Sequence, residues 1–480
     1  MTATPHFKPS TAHASLGDAL FDLVEPAVFP KHILRYRNQV QAARVGLDTL
    51  TDAEWVDHFS RFKPLQGSFP RPLALRYHGH QFQNYNPELG DGRGFLFGQA
   101  HDLVDGRLLD FGTKGSGRTP WSRGGDGKLT LKGGVREVLA TSMLEALGVY
   151  TSKSFSLIET GEALTRGDEP SPTRSAVLVR LNHSHIRIGT FQRLAYHQDT
   201  DSIRRLLDYT IRTYMPELWR EAEADRVLAF LEAVTAKVAR LGAEWMLAGF
   251  VHGVLNTDNI NVTGESFDYG PWRFLPTYQP EFTAAYFDTG KLYAYGRQPD
   301  TLLWNLIRLA ECLLPLSDQA TLEAVLRGFG ALFYTELSAA MLRRLGLRSQ
   351  GPDIDTALVQ QVWQFLRESQ MPFEQFFFDW YGGSLSADRA TSGPSAGIYA
   401  EAGFASLRMM IDGFEPAAGL RLDHPYFAGH GPCTMLIDEV EAIWAPIAAD
   451  DDWSLFRQKL VAIDQMAEAY GMQTSNHRDS

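Results

Sequence analysis

The chain has 480 residues, 44% of them hydrophobic and 21% charged, with a formal net charge of −12. That is the composition of a soluble globular chain of one to three domains, and its acidic balance argues against nucleic acid as the main partner, because a phosphate backbone asks for a basic footprint. No stretch approaches the ~20 apolar residues of a membrane span.

The opening "MTATPHFKPSTAHASLGDALF" lacks a charged start followed by an apolar run, so no secretory signal is read and the cytoplasm is the expected compartment. Residues 1–70 are read as an N-terminal extension with one helix near "DAEWVDHFSRF". Residues 71–197 are read as β-rich. "GRGFLFGQA", "GRLLDFGTKG", "SFSLIETGE", "SAVLVRL" and "IRIGTFQRLAY" are short β-type runs divided by Gly, Asp and Ser turns. One helix interrupts them, "GGVREVLATSMLEALG". Val135, Val138, Leu139, Met143 and Leu147 keep its helical period, and Gly148 is a stop. Residues 198–480 are read as helical, from "TDSIRRLLDYTIRTYMPELW" and "RVLAFLEAVTAKVARLGAEWMLAGF" through "DTLLWNLIRLAECLLPL" to "DQATLEAVLRGFGALFYTELSAAMLRRLG". The fold class is α+β, with a smaller β-rich half before a larger helical one and a ligand cleft expected between them. Cys312 and Cys433 make no disulfide framework; they read as inert buried thiols or as a regulatory pair.

In "LGDGRGFLFG", Gly90, Gly92 and Gly94 alternate with Asp91 and Arg93. This is either a plain turn or a place where backbone amides and one guanidinium approach an anion. "DFGTKGSGRTPWSRGGDGKLTLKGG" sets five cations, Lys114, Arg118, Arg123, Lys128 and Lys132, among eight glycines. In an acidic protein that density reads as an anion site, or else as a solvated loop. Its "DFG" at Asp110 is a decoy, since a metal-binding Asp-Phe-Gly follows the catalytic loop of a kinase. Lys114 on a strand and Glu137 on the next helix are arranged as a kinase arranges its phosphate-contacting lysine. Arg180 and Arg187, on candidate strands, suit phosphates better than an adenine ring.

"FVHGVLNTDNINVTGESFDYG" then follows a helix. His252 and Asn259 keep the spacing of the kinase loop H-R-D-x-x-x-x-N, yet Val254 stands where the base belongs. Asn259 and Asp268 are hard oxygen ligands suited to Mg²⁺ or Mn²⁺. Asp258 is the carboxylate of the loop and reads as a proton acceptor or a turn cap. His252 reads as a holder of the loop backbone.

Taken in order, "YHGHQFQNYNPELGDGRGFLFG", "KGSGRTPWSRGGDGK", "VREVLATSMLEALG", "VRLNHSHIRIGTFQ", "FVHGVLNTDN", "DYGPWRFL" and "GRQPDTLLWNLIRLA" resemble the SelO (YdiU) family over roughly residues 70–315. The resemblance implies a two-lobed protein-kinase-like fold with N- and C-terminal extensions. It also implies transfer of AMP from ATP, bound flipped relative to a kinase, to Ser, Thr or Tyr hydroxyls of proteins, itself included. Carried over position by position, Gly90, Gly92, Arg93, Lys114, Asp126, Gly127, Arg180, Arg187 and Asp268 would bind ATP. Asn259 and Asp268 would hold the metal, Asp258 would accept the proton, and Glu137 would orient Lys114. The tail lacks the family's Asn-Pro…Arg-Asn segment and ends on "DQMAEAYGMQTSNHRDS". Transfer of UMP from UTP with Mn²⁺, an ordinary kinase and a nucleotide-binding scaffold are the alternatives. A monomer is expected, with neither nucleic acid nor membrane as partner.

Overall fold

The computed structural model describes residues 6–167 and 169–472; the first five residues and the last eight of the tail quoted above lie outside it. Eleven strands precede residue 183: β1 (Pro9–Ser10), β2 (Phe21–Leu23), β3 (Ile33–Arg37), β4 (Leu73–Leu75), β5 (Gly79–Gln81), β6 (Asn84–Asn86), β7 (Leu96–His101), β8 (Leu108–Lys114), β9 (Leu129–Thr130), β10 (Lys153–Leu164) and β11 (Thr173–Asn182). Seven of them form an antiparallel path in the order β2-β4-β7-β8-β11-β10-β3, with β1 added to β7 and β9 to β11, while β5 and β6 form a separate hairpin. The first 70 residues therefore supply both ends of the path. β3 pairs β10 through Leu157↔Tyr36, and β2 pairs β4 through Asp22↔Ala74.

Strand alternation divides the sheet into two faces. Phe111, Val177, Val179 and Leu181 enter a core with Trp55 and Phe59, which belong to the second of two helices, α1 (Gln39–Arg44) and α2 (Asp52–Phe59). Trp55 stacks on Phe155 with ring centroids 4.8 Å apart and donates its indole N–H to Ser156 at 2.9 Å. The other face packs on α3 (Leu131–Ala146) and shares the large core of the helical half. Thr130 caps α3 by accepting from the Gly133 amide at 3.1 Å. Gly148, with φ +81°, follows its end, as the sequence expects.

One expected strand is a helix. "IRIGTFQRLAY" forms α4 (Ile188–Tyr196), because Ile188, Phe191 and Leu194 repeat at a helical spacing and all three are buried. Arg187 is the residue before its first turn, not a strand residue. A Cβ on Gly189 would collide with the His78 carbonyl oxygen, and the His78 amide donates to the Gly189 carbonyl at 3.0 Å. The helix thus abuts the chain leading into the β5–β6 hairpin.

The helical half continues with α5 (Thr200–Tyr214), α6 (Glu223–Leu247), α7 (Gln298–Leu313), α8 (Gln319–Arg327), α9 (Phe329–Leu345), α10 (Pro352–Ser369) and α11 (Phe373–Trp380). The run expected as one helix from Asp318 breaks at Gly328 into α8 and α9. α6 packs on α7 and α9 and delivers a short strand, Phe250–Val251, that opens the loop with the kinase-like spacing. Shorter helices precede two long ones, Ile437–Asp450 and Ser454–Ala469. Among the described residues no helix is long and apolar enough to cross a membrane. Both cysteines are free.

Helix propensity favours alanine over glycine at position 189, whereas the packing forbids it. Gly189→Ala is therefore expected to lower unfolding free energy by about 1–3 kcal/mol in chemical denaturation. An unchanged or raised value would contradict the close approach of α4 to His78.

Candidate functional site

A cavity of about 730 Å³ opens between the sheet and the loop at 252–270. Eight cationic side chains line it against four acidic ones, an inversion of the protein's overall charge. The β8–β11 register places Lys114 opposite Leu178 and Gly112 opposite Arg180, so Lys114 and Arg180 share one face of neighbouring strands. α3 lies on that face and brings in Glu137. Lys114 Nζ donates to Glu137 Oε2 at 2.6 Å and stands 3.0 Å from Asp268 Oδ1. All of Lys114, Glu137 and Arg180 are buried.

The two arginines are buried without being saturated. Arg180 reaches Glu137 at 3.4 Å and Asp268 at 3.5 Å, and its Nε has no partner among the described residues. Arg187 lies between the Tyr77 ring (4.1 Å) and the Phe267 ring (5.1 Å), reaches Asp91 at 3.3 Å, and also leaves Nε without a partner. A buried guanidinium with long, incomplete bonds carries a desolvation cost that its partners only partly offset. Arg93, Arg118 and Arg123 are exposed on the cavity wall and form no ion pair among the described residues.

The glycine-rich stretches have two jobs. A Cβ on Gly90 would meet the Trp121 ring, so this glycine makes room for a cavity-lining indole. A Cβ on Gly92 would lie 2.8 Å from the Trp121 carbonyl oxygen, so the two glycine-rich loops touch backbone to backbone. Gly127, at φ +70°, packs its Cα against Gly117. Asp126 lines the cavity, but its carboxylate is taken by Arg166 at 2.8 Å and by the Lys128 amide at 3.0 Å. Lys132 lies elsewhere: it pairs with Glu441 at 2.7 Å, which removes it from the expected anion cluster. The Asp110 of "DFG" is buried against His185 and Gln99, away from the cavity.

On the opposite wall, His252 Nε2 stands 3.2 Å from the Phe267 carbonyl and ties the two ends of the loop together. Asn259 donates its amide to the Val254 carbonyl at 2.9 Å, which leaves its side-chain oxygen as an acceptor. Asp268 takes a left-handed backbone, φ +62°, a conformation that Asp tolerates better than most residues. Burial opposes its ionisation, but Lys114, Arg180, Arg187 and Arg93 together hold its carboxyl well below the usual range. Asp258 differs. Burial pushes it up to about 7 against the pull of Arg187, and its Oδ1 is packed beside Gly79 with no hydrogen-bond partner. One carboxylate of the site is thus fixed as an anion and the other is poised to exchange a proton.

Every residue to which the resemblance gives a role lines this cavity except Glu137, which stands directly behind Lys114. Asp91, noted in the glycine-rich turn but given no role there, also lines it, as do Arg166, Asn256 and Tyr77, which carried no signal in the sequence. Asn256 is occupied by Tyr293 at 2.7 Å and the Phe82 amide at 3.1 Å, so it braces the loop.

A family model described as protein adenylyltransferase SelO matches residues 4–390, well beyond the stretch that carries the motifs. The protein nucleotidyltransferase YdiU of Gloeobacter violaceus is 47% identical over 458 residues, 93% of this chain and 92% of that protein. The protein of the same name from Trichormus variabilis is 51% identical over 378 residues, 78% and 76% of the two chains. That of a Synechocystis species is 44% identical over 469 residues, 92% and 94%.

Removing Glu137 strands Lys114 and Arg180 with one shared carboxylate. Glu137→Ala is expected to cost about 3–5 kcal/mol of stability, the penalty of a broken buried pair, measured by denaturant unfolding. A loss below ~1 kcal/mol, the range of an exposed pair, would show that the pair is solvated in solution.

Proposed function

Because this chain belongs to the SelO family of protein adenylyltransferases, we propose that it transfers AMP from ATP to Ser, Thr or Tyr hydroxyls of protein substrates and of itself, releasing pyrophosphate. In this reading the two halves are the lobes of a kinase-like fold, and ATP lies flipped, with its α-phosphate toward the acceptor. The observation that carries the reading is the pair of buried, unsaturated guanidiniums, Arg180 and Arg187, beside a Lys114–Glu137 pair and an ionised Asp268. Both guanidiniums line the cavity, and charge-assisted bonds to phosphate oxygens suit them, whereas an adenine ring offers them little.

Asn259 and Asp268 would hold the divalent cation. Asp268 is kept ionised, and the Asn259 amide is pinned so that its oxygen is available, which suits Mg²⁺ or Mn²⁺. When bound, such an ion neutralises phosphate charge and orients the triphosphate. The acceptor oxygen forms a bond to the α-phosphorus as the bond to pyrophosphate breaks. Asp258 takes the hydroxyl proton, a task that its raised proton affinity suits. Lys114, Arg180, Arg187 and the wall arginines keep the charge that develops on pyrophosphate. Val254, apolar at the position of a kinase base, is no handicap once the reacting phosphorus has moved away from it.

Three outcomes follow for transfer assayed by the mass added to an acceptor protein. Asp268→Ala and a chelator each abolish it. Asp258→Asn lowers turnover by at least ~100-fold while ATP affinity, read by calorimetry, stays within about threefold. Equal losses of turnover and affinity in Asp258→Asn would make Asp258 a binding residue instead.

A further inference from the structure

The last long helix, Ser454–Ala469, lies beyond the residues that the family model matches, yet it touches both walls of the cleft's framework. Its N-terminal end sits on the sheet. Phe456 is 1% exposed and packs edge-on to Tyr36 of β3, and Arg35 lies over the Trp453 ring at 5.0 Å. Immediately before it, Asp451 pairs with Arg35 at 2.9 Å and Arg174 at 2.7 Å, and both arginines share Glu159 of β10. Its middle packs along α3. The preceding helix adds the Glu441 pair with Lys132, the second residue of α3. Its far end sits on the helical half. Tyr470 packs edge-on to Tyr381 with centroids 4.8 Å apart, and Arg344 of α9 lies 5.6 Å over its ring.

We propose that this helix, together with the Ile437–Asp450 helix before it, is a strut that positions α3, and through it Glu137 and Lys114, against Asp268 of the helical half. The inference rests on the reading of Lys114 as the phosphate-binding lysine. Lys114 bridges Glu137 on α3 and Asp268 across the cleft at 2.6 and 3.0 Å, so a small rotation of α3 would break the chain of charges. Helices held by ion pairs at the sheet and by edge-packed rings at the far end limit that rotation before any ligand binds. Such preorganisation would spare ATP the cost of assembling the site. Lys132, Asp451 and Tyr470 are then positioning residues, none of which lines the cavity.

The test is a charge reversal in the full chain. Lys132→Glu sets two carboxylates face to face. It is expected to weaken calorimetric ATP affinity by about 5–10-fold and to speed amide exchange across residues 131–146 by a similar factor. Lys132→Glu with Glu441→Lys restores both. Asp451→Arg, which sets a third cation against Arg35 and Arg174, reproduces the effect at the other anchor. If it fails to fold, the reversal pair alone decides. Unchanged affinity and exchange in Lys132→Glu, or no recovery in the double variant, overturns the proposal. Both readouts are independent of group transfer. A native chain that binds ATP but transfers no AMP would defeat the proposed function and leave the strut to be judged on exchange and affinity.

Discussion

Everything in the cleft depends on one chain of buried charges, Glu137–Lys114–Asp268, with Arg180 set against both carboxylates. Each of its members comes from a different element. β8 and β11 present the cations from one face of the sheet, α3 brings Glu137, and the loop after α6 brings Asp268. The fold must satisfy this chain or leave a charge stranded in the interior, which would cost several kcal/mol. The cap on α3 and the left-handed turn at Asp268 lie in the elements that bring these groups within reach of one another.

The same chain lies in a cavity whose charge is opposite to that of the protein as a whole. The net charge of −12 is spread over the molecule, while cations outnumber acids in the cavity. Two of the arginines are buried and under-bonded, and three form no ion pair among the described residues at the wall. A site built this way attracts phosphate through focused local charge, not through net charge. It also separates the two aspartates by environment: cations hold Asp268 ionised, and burial lets Asp258 keep a proton near neutrality.

Much of this was legible in the sequence wherever chemistry and spacing coincide locally. The helical period before Gly148 marked α3, and the interval from His252 to Asn259 marked the loop. The density of Gly and cations marked the cavity wall. What was not legible depends on contacts distant in sequence. "IRIGTFQRLAY" is β-like in composition and became helical because Ile188, Phe191 and Leu194 share one buried face. Lys132 belonged to a basic run by sequence, but the turn into α3 aims it at Glu441, more than 300 residues away. Arg166 reaches Asp126 from the far end of β10, and nothing in either local stretch announces the pairing. The first 70 residues resembled an extension because their strands are short and pair only with later ones.

In the proposed reading, the cavity directs the α-phosphorus of ATP to a protein hydroxyl. The most direct test of that reading compares ATP labelled at the α-phosphate with ATP labelled at the γ-phosphate, with Mg²⁺ or Mn²⁺ present, and follows label into protein. Label from the α position alone, with pyrophosphate released, is the predicted result. Label from the γ position alone would contradict the account and make this a kinase working without the usual loop aspartate.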